Sequence, residues 1–273
     1  MMLCWLTCGS ISSEVLVMEA ALTTIHLKTG TLHVPEACQS VDGRMDLFMH
    51  LHGASATVER NILQFRKDTP WVSINLPGLS SVYSRYFKDP AVWPALKTEV
   101  LQALTTSLQA SNELSLGTWT LSSFSAGYGG VRELLKQPTA IEDLDALLLL
   151  DSLYAGWQGD PSLRQVNPEQ MAPFVAFARL AMAGKKRMLI SHTRVETPDY
   201  ASTAETAAYQ TQKLHLSWAE KTIPWATGMT EWRRTRRGNF QAFDFGGDTG
   251  EAHLNHLRHM ALFFDAIGSL TQP

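Results

Sequence analysis

Residues 117–136 read GTWTLSSFSAGYGGVRELLK. The first eight, GTWTLSSF (117–124), have the β-branched and aromatic character of a strand. They run directly into SAGYGG, and GVRELLK (130–136) then has helical spacing. A strand that turns straight into a helix through small residues is the context of a nucleophile elbow. The reason is steric. A hydroxyl that stands exposed on a sharp, strained turn needs small residues two positions before it and two after. Ser123 and Gly127 supply them for Ser125. Moving the reactive position to Ser123 would put Leu121 where a small residue is required, so Ser125 is the better register. Gly129 and Gly130 then let the helix approach the sheet closely, and its N-terminus places positive partial charge near any negative charge that develops there.

Working outward, the same alternation of strand and helix continues. ALTTIHL (21–27) and TLHVPE (31–36) flank a tight turn at Lys28-Thr29-Gly30, and DLFMHLH (46–52) and WVSINLPG (71–78) are short apolar runs. VWPALKTEVLQALTTSLQ (92–109) has helical spacing, with Pro94 in its first turn. Downstream, DALLLL (145–150) is a continuous apolar run, as expected of a strand covered on both faces of a parallel sheet. A helix at 167–184, interrupted by Pro173, a strand at 186–191, a helix at 202–216 with Ser202 and Glu205 spaced as a capping box, a strand at 240–245 and a closing helix at 251–270 complete the reading. This pattern predicts a doubly wound, mostly parallel α/β sheet. Residues 19–273 form one domain, and the long connection 152–185, with Tyr154, Trp157 and Phe174, is expected to fold over the sheet edge as a small cap.

Three further elements converge on Ser125. HGAS (52–55) follows an earlier strand. Acyl transfer needs two N–H donors aimed at an oxyanion; the positions that supply them are Ala126, after the nucleophile, and Ala54 in this loop. A base is expected late in the chain, where the loop GGDTGEAH offers His253, with His256 and His259 one and two turns on. At about 100° per residue, His253 projects within about 20° of Phe264 on the face of Leu254, Leu257 and Ala261, with His256 at its border and His259 pointing away. His253 is therefore favoured over His256. The acid is left open among three residues. Asp151, directly after four leucines at the carboxyl edge of the sheet, ranks first; Glu196 and Asp199, in the loop after the next strand, rank second and third.

The order HGAS, SFSAG, LLLLD and GEAH over residues 20–270 resembles the α/β-hydrolase superfamily. The resemblance implies an eight-stranded, mostly parallel sheet with its first pair antiparallel, a Ser-acid-His triad and ester-type substrates. Ser123 departs from the usual first glycine of the elbow. The expected activity is a carboxylic ester hydrolase working through an acyl-enzyme on a small-molecule ester. The same machinery also serves amide or thioester hydrolysis and acyl transfer, and the fold can act as a non-catalytic binding module.

Composition narrows the remaining classes. The chain has 273 residues, 45% hydrophobic and 18% charged, with a net charge of −3, so nothing draws it to nucleic acid or an anionic membrane. No cofactor is called for: no metal spacing, phosphate-cradling loop or dinucleotide fingerprint is present. The three cysteines, Cys4, Cys8 and Cys38, do not make a disulfide framework. The segment 1–18 lacks the basic region of a signal peptide, and Met18 is an alternative start; a cytoplasmic location and no stable membrane insertion are the expectations. The basic run WRRTRR (232–237) is expected to be a solvated loop, and VYSRYF (82–87) either lines a pocket or packs.

Overall fold

The computed structural model of the chain describes residues 22–268; the expectations for the segment 1–18 and for Cys4 and Cys8 lie outside them. The N-terminal half runs β1 (Leu22–His26), β2 (Thr31–Pro35), β3 (Arg44–Leu51), α1 (Ser55–Phe65), β4 (Trp71–Ile74), α2 (Ser80–Phe87), α3 (Val92–Ser107) and β5 (Ser115–Phe124). A single 3-10 turn, Ser125–Gly127, leads into α4 (Tyr128–Leu134), followed by α5 (Pro138–Asp143), β6 (Leu144–Leu150), α6 (Pro168–Met182), β7 (Arg187–His192) and α7 (Thr203–Lys213). The chain closes with β8 (Ala219–Ala226), β9 (Met229–Arg237), β10 (Phe240–Asp244), α8 (Gly250–Arg258) and α9 (Met260–Gly268).

The ten strands among the described residues form one sheet in the order β1-β2-β4-β3-β5-β6-β7-β10-β9-β8. The six central strands, β4 to β10, are parallel; β1–β2, β2–β4, β10–β9 and β9–β8 are antiparallel. This is the doubly wound, mostly parallel α/β sheet that the sequence predicts, covered by helices on both faces, with ten strands among the described residues where the resemblance implied eight. The excess is β8 and β9. The run WRRTRR is the greater part of β9 and not a solvated loop. Its charge concealed a strand because two of the arginines are spent on buried carboxylates: Arg233 on Asp244 (2.6 Å) and Arg234 on Glu231.

Two apolar layers hold the sheet, and β6 shows why. Leu147 and Leu149 join the layer containing Tyr83, Phe87, Trp93, Val131 and Phe174 from α2, α3, α4 and α6. Ala146, Leu148 and Leu150 join the opposite layer, with Val58, Ile62, Met260, Phe263 and Phe264 from α1 and α9. Alternation along a strand sends neighbours to opposite faces, so a strand covered on both sides must be apolar throughout. Each fully buried leucine contributes roughly 1.5–3 kcal/mol. VYSRYF belongs to α2, with Tyr83 and Phe87 in the core.

Two local expectations need correction. Pro173 does not interrupt α6, which continues through it from a start capped by Asn167, whose side chain accepts from the Glu169 and Gln170 amides. The closing helix is two helices, broken at His259, whose φ of −112° and ψ of 27° leave the helical range. One continuous wheel therefore misplaces its residues: Leu254 is 41% exposed, and His256 is buried rather than at a border. Among the described residues no helix is long and apolar enough to cross a membrane.

Candidate active site

Seven non-glycine residues among those described have positive φ. Three of them are His52 (φ 68°), Ser125 (48°) and Asp151 (43°), the first residues after the neighbouring parallel strands β3, β5 and β6. Such conformations cost on the order of 1–3 kcal/mol each and concentrate at functional sites. Here they turn three adjacent strand ends at the same edge of the sheet, the edge where open α/β sheets carry their sites.

The elbow is enforced sterically. A Cβ on Gly127 would lie 2.4 Å from the carbonyl oxygen of Leu51, and one on Gly129 would lie 2.2 Å from that of Ser80. A Cβ on Gly130 would meet Phe87 and Leu51. The two glycines thus admit α2 as well as the sheet. Ser123 is fully buried, and its hydroxyl shares a hydrogen bond with Ser152 Oγ (2.8 Å), which also donates to the Ser125 carbonyl (2.9 Å) in one of its orientations. The departure from glycine at position 123 thus gives the elbow a polar tie to the loop after β6.

Asp151 lies on that loop and is fully buried. Its Oδ2 lies 2.6 Å from His253 Nδ1 and accepts from Thr193 Oγ1 (2.8 Å); its Oδ1 accepts from the Thr193 amide (3.0 Å) and from Thr203 Oγ1. Burial alone would raise its pKa. The His253 hydrogen bond, the nearby His256 and His253 charges and the Thr203 hydroxyl outweigh burial and hold it well below the usual carboxylate range. An ionised carboxylate only accepts, so Nδ1 of His253 carries a hydrogen, and the neutral tautomer compatible with this contact has its lone pair on Nε2. The imidazole is 20% exposed and stacks on Phe124, with ring centroids 4.5 Å apart, directly before Ser125. Among the described residues the Ser125 hydroxyl makes no hydrogen bond; such bonds commonly tighten only when substrate is present.

Of the other residues named from sequence, Ala126 is in the 3-10 turn that begins the elbow helix, where amides lack intrahelical partners. Ala54 is the N-cap residue of α1, and the amide before it, Gly53 N–H, is already taken by Asn75 Oδ1 (2.9 Å). Glu196 and Asp199 are exposed and bond no histidine among the described residues. His256 is buried, hydrogen-bonded through Nδ1 to Ser191 Oγ (2.7 Å), flanked by Phe245 and Phe263, and pushed down to about 4 by burial. Sequence reasoning missed Thr193 and Thr203, which complete the shell of Asp151. The available signal was the capping box at Ser202, which marks the start of α7 and puts Thr203 in its first turn; only the fold brings that turn to Asp151.

Three tyrosines from different segments adjoin this edge. Tyr128 contacts Tyr154 (5.3 Å between centroids), and Tyr154 contacts Tyr200 (5.5 Å). Burial, then the charge of Asp151, raises the Tyr154 pKa. Among the described residues no cluster of three or more His, Cys, Asp or Glu is placed to hold a metal ion.

No family model matches the chain, and no curated protein matches it by sequence. Among solved structures it is similar to the haloalkane dehalogenase DbeA from Bradyrhizobium elkani USDA94, at 13% identity and a TM-score of 0.43, covering 93% of this chain and 100% of that one. It is also similar to the carboxylesterase CesB (YbfK) from Bacillus subtilis, at 11% identity and a TM-score of 0.45, covering 93% and 92%.

Proposed function

We propose that the protein is a serine hydrolase that cleaves a small-molecule carboxylic ester through an acyl-enzyme. The observation that carries this reading is the 2.6 Å contact between the buried Asp151 carboxylate and His253 Nδ1, made beside the strained Ser125 turn. His253 Nε2 takes the Ser125 proton as Oγ bonds to the acyl carbon. The amides of Ala54 and Ala126 hold the oxyanion. When the tetrahedral intermediate collapses, the bond to the leaving oxygen breaks and His253 returns the proton to it. Water, deprotonated by the same imidazole, then releases the acid and restores Ser125. Asp151 orients the imidazole and stabilises its cationic form. These steps require no cofactor. Tyr154 and Tyr200 would form one wall of the substrate cleft.

Labelling with a fluorophosphonate probe, together with release of p-nitrophenol from a short-chain ester, tests this. Wild type should label and turn over, and Ser125→Ala should do neither. A wild type that fails to label, or a Ser125→Ala variant that labels equally, would refute the mechanism. Labelling without release of acid to water would point to acyl transfer, or to an amide or thioester substrate.

A further inference from the structure

His50 is another buried histidine at this edge, on β3, 2% exposed and outside the proposed triad. Its hydrogen bonds fix its chemistry. Nε2 lies 2.9 Å from the carbonyl oxygen of His52. A carbonyl only accepts, so Nε2 carries hydrogen. Burial pushes the imidazole down to about 4, partly opposed by that same bond, so the ring is neutral and holds one proton. Nδ1 is then a lone pair, and Ser122 Oγ, 2.5 Å away, donates to it. In the neutral ring no other assignment satisfies all three groups.

The carbonyl that His50 holds belongs to the peptide joining His52 to Gly53. The N–H of that same peptide donates to Asn75 Oδ1 at 2.9 Å, and Asn75 Nδ2 donates to Ser55 Oγ at 3.1 Å. One peptide plane is therefore gripped at both ends, by β3 on one side and by the segment after β4 on the other. It sits between two unusual backbone angles, φ 68° at His52 and 148° at Gly53. The next amide along the chain is that of Ala54. Ser122 stands on β5, three residues before Ser125, so the same bond network ties the loop of Ala54 to the strand that leads into Ser125 and Ala126.

We propose that His50 is a positioning residue that fixes the oxyanion loop, with Ser122 donating to its Nδ1 and Asn75 holding the same peptide from its other end. The proposal rests on the reading of Ala54 as an oxyanion donor. Its consequence is selective. A loosened plane misaims the Ala54 amide at the charge of the transition state while leaving ground-state binding intact. Losing one oxyanion donor costs roughly 100- to 1,000-fold in kcat, and a misplacement of about 1 Å costs roughly 100-fold.

The experiment has two arms. In the first, 15N–1H two-bond spectra of the free wild-type protein at pH 7 report the His50 tautomer without any turnover. A neutral ring protonated at Nε2 is expected; a ring protonated at Nδ1, or a cationic ring, overturns the proposal. In the second, His50→Leu should lower kcat about 100-fold with KM within about twofold, and Asn75→Ala should show the same split. His50→Gln, whose amide can donate to the His52 carbonyl while its oxygen accepts from Ser122, should recover kcat to within about tenfold of wild type. Unchanged kcat in His50→Leu refutes the proposal. So do parallel changes in KM and melting temperature with no rescue by glutamine, which would mark His50 as merely structural. Failure of the hydrolase reading looks different: wild type would then neither label with fluorophosphonate nor turn over, whatever the tautomer.

Discussion

Replacing Asp151 by Asn keeps shape and volume and removes one charge, and the surrounding donors dictate how the new amide sits. Two orientations are open to it. With its oxygen at the Oδ2 position, its NH2 faces the Thr193 backbone N–H, now 3.0 Å from Oδ1. That donor cannot turn away, so this orientation leaves two donors opposed and costs about 1–3 kcal/mol. With NH2 at the Oδ2 position, the Thr193 hydroxyl can rotate to accept, and His253 can accept by shifting its proton to Nε2. The second orientation wins, and it removes the lone pair that Ser125 needs. To that penalty is added the lost attraction between carboxylate and imidazolium, on the order of 4 kcal/mol at an effective dielectric constant of about 20. The sum, about 5–7 kcal/mol, corresponds to a loss in kcat of roughly 5,000- to 100,000-fold at 1.36 kcal/mol per tenfold. Steady-state hydrolysis of a p-nitrophenyl ester measures it, with circular dichroism to verify folding. Glu196→Gln and Asp199→Asn, both exposed, should stay within about twofold. A folded Asp151→Asn enzyme that keeps kcat within tenfold, or a Glu196→Gln enzyme that loses it, would refute the reasoning.

Stability should fall on acidification. His50 and His256 are each held near 4 in the folded protein against an ordinary 6.5. Between those values the unfolded chain binds more protons, so stability is fully present above 6.5 and declines as pH drops toward 4. At pH 5 each histidine costs about 2 kcal/mol; guanidinium unfolding at pH 7 and pH 5 reads the sum, and equal stabilities would contradict it. Ser125→Gly should abolish turnover yet raise stability by about 1 kcal/mol by relieving the 48° φ, measured as an increase in melting temperature. Gly127→Ala should destabilise by about 3 kcal/mol or prevent folding, because its methyl group meets the Leu51 carbonyl; Gly250→Ala, with nothing within 4 Å, is the control and should be silent.

The range of the forces involved decides which features the sequence discloses and which it hides. The elbow was legible because its constraint is local: Ser123, Gly127 and the flanking strand and helix are contiguous. DALLLL announced a central strand because two-sided burial leaves a continuous apolar run. β8 and β9 were hidden because an exposed antiparallel edge needs few apolar residues. The pattern of β8, exposed over its first six residues, gives almost no hydrophobic signal, and β9 carries arginines that find their carboxylates only in three dimensions. The wheel drawn through His259 failed because this helix break is a single-residue event that hydrophobic periodicity does not register. The hydrogen-bond shell of Asp151 was illegible for a different reason. Thr193 and Thr203 lie 42 and 52 residues from it, and hydroxyl groups at a strand end and a helix start look like ordinary turn and cap residues.

The three strained residues also explain why these long-range contacts matter. His52, Ser125 and Asp151 each adopt a backbone that their side chains disfavour, and each is tied by polar bonds to a neighbouring segment. The His52 carbonyl is held by His50, the Ser125 carbonyl accepts from Ser152, and Asp151 is bound by Thr193 and Thr203. Strain of a few kcal/mol persists only where its surroundings over-determine it. Here the rigid element is the parallel core: β3, β5 and β6 are hydrogen-bonded side by side, and the leucines of β6 lock into both apolar layers. Weakening that core should relax the turns before it unfolds the domain. A cavity such as that left by Leu148→Ala, costing about 2–5 kcal/mol in stability, should therefore lower the rate of fluorophosphonate labelling at temperatures well below its own melting transition. A labelling rate that stays at the wild-type value until global unfolding would show that the strand ends hold their geometry without the core.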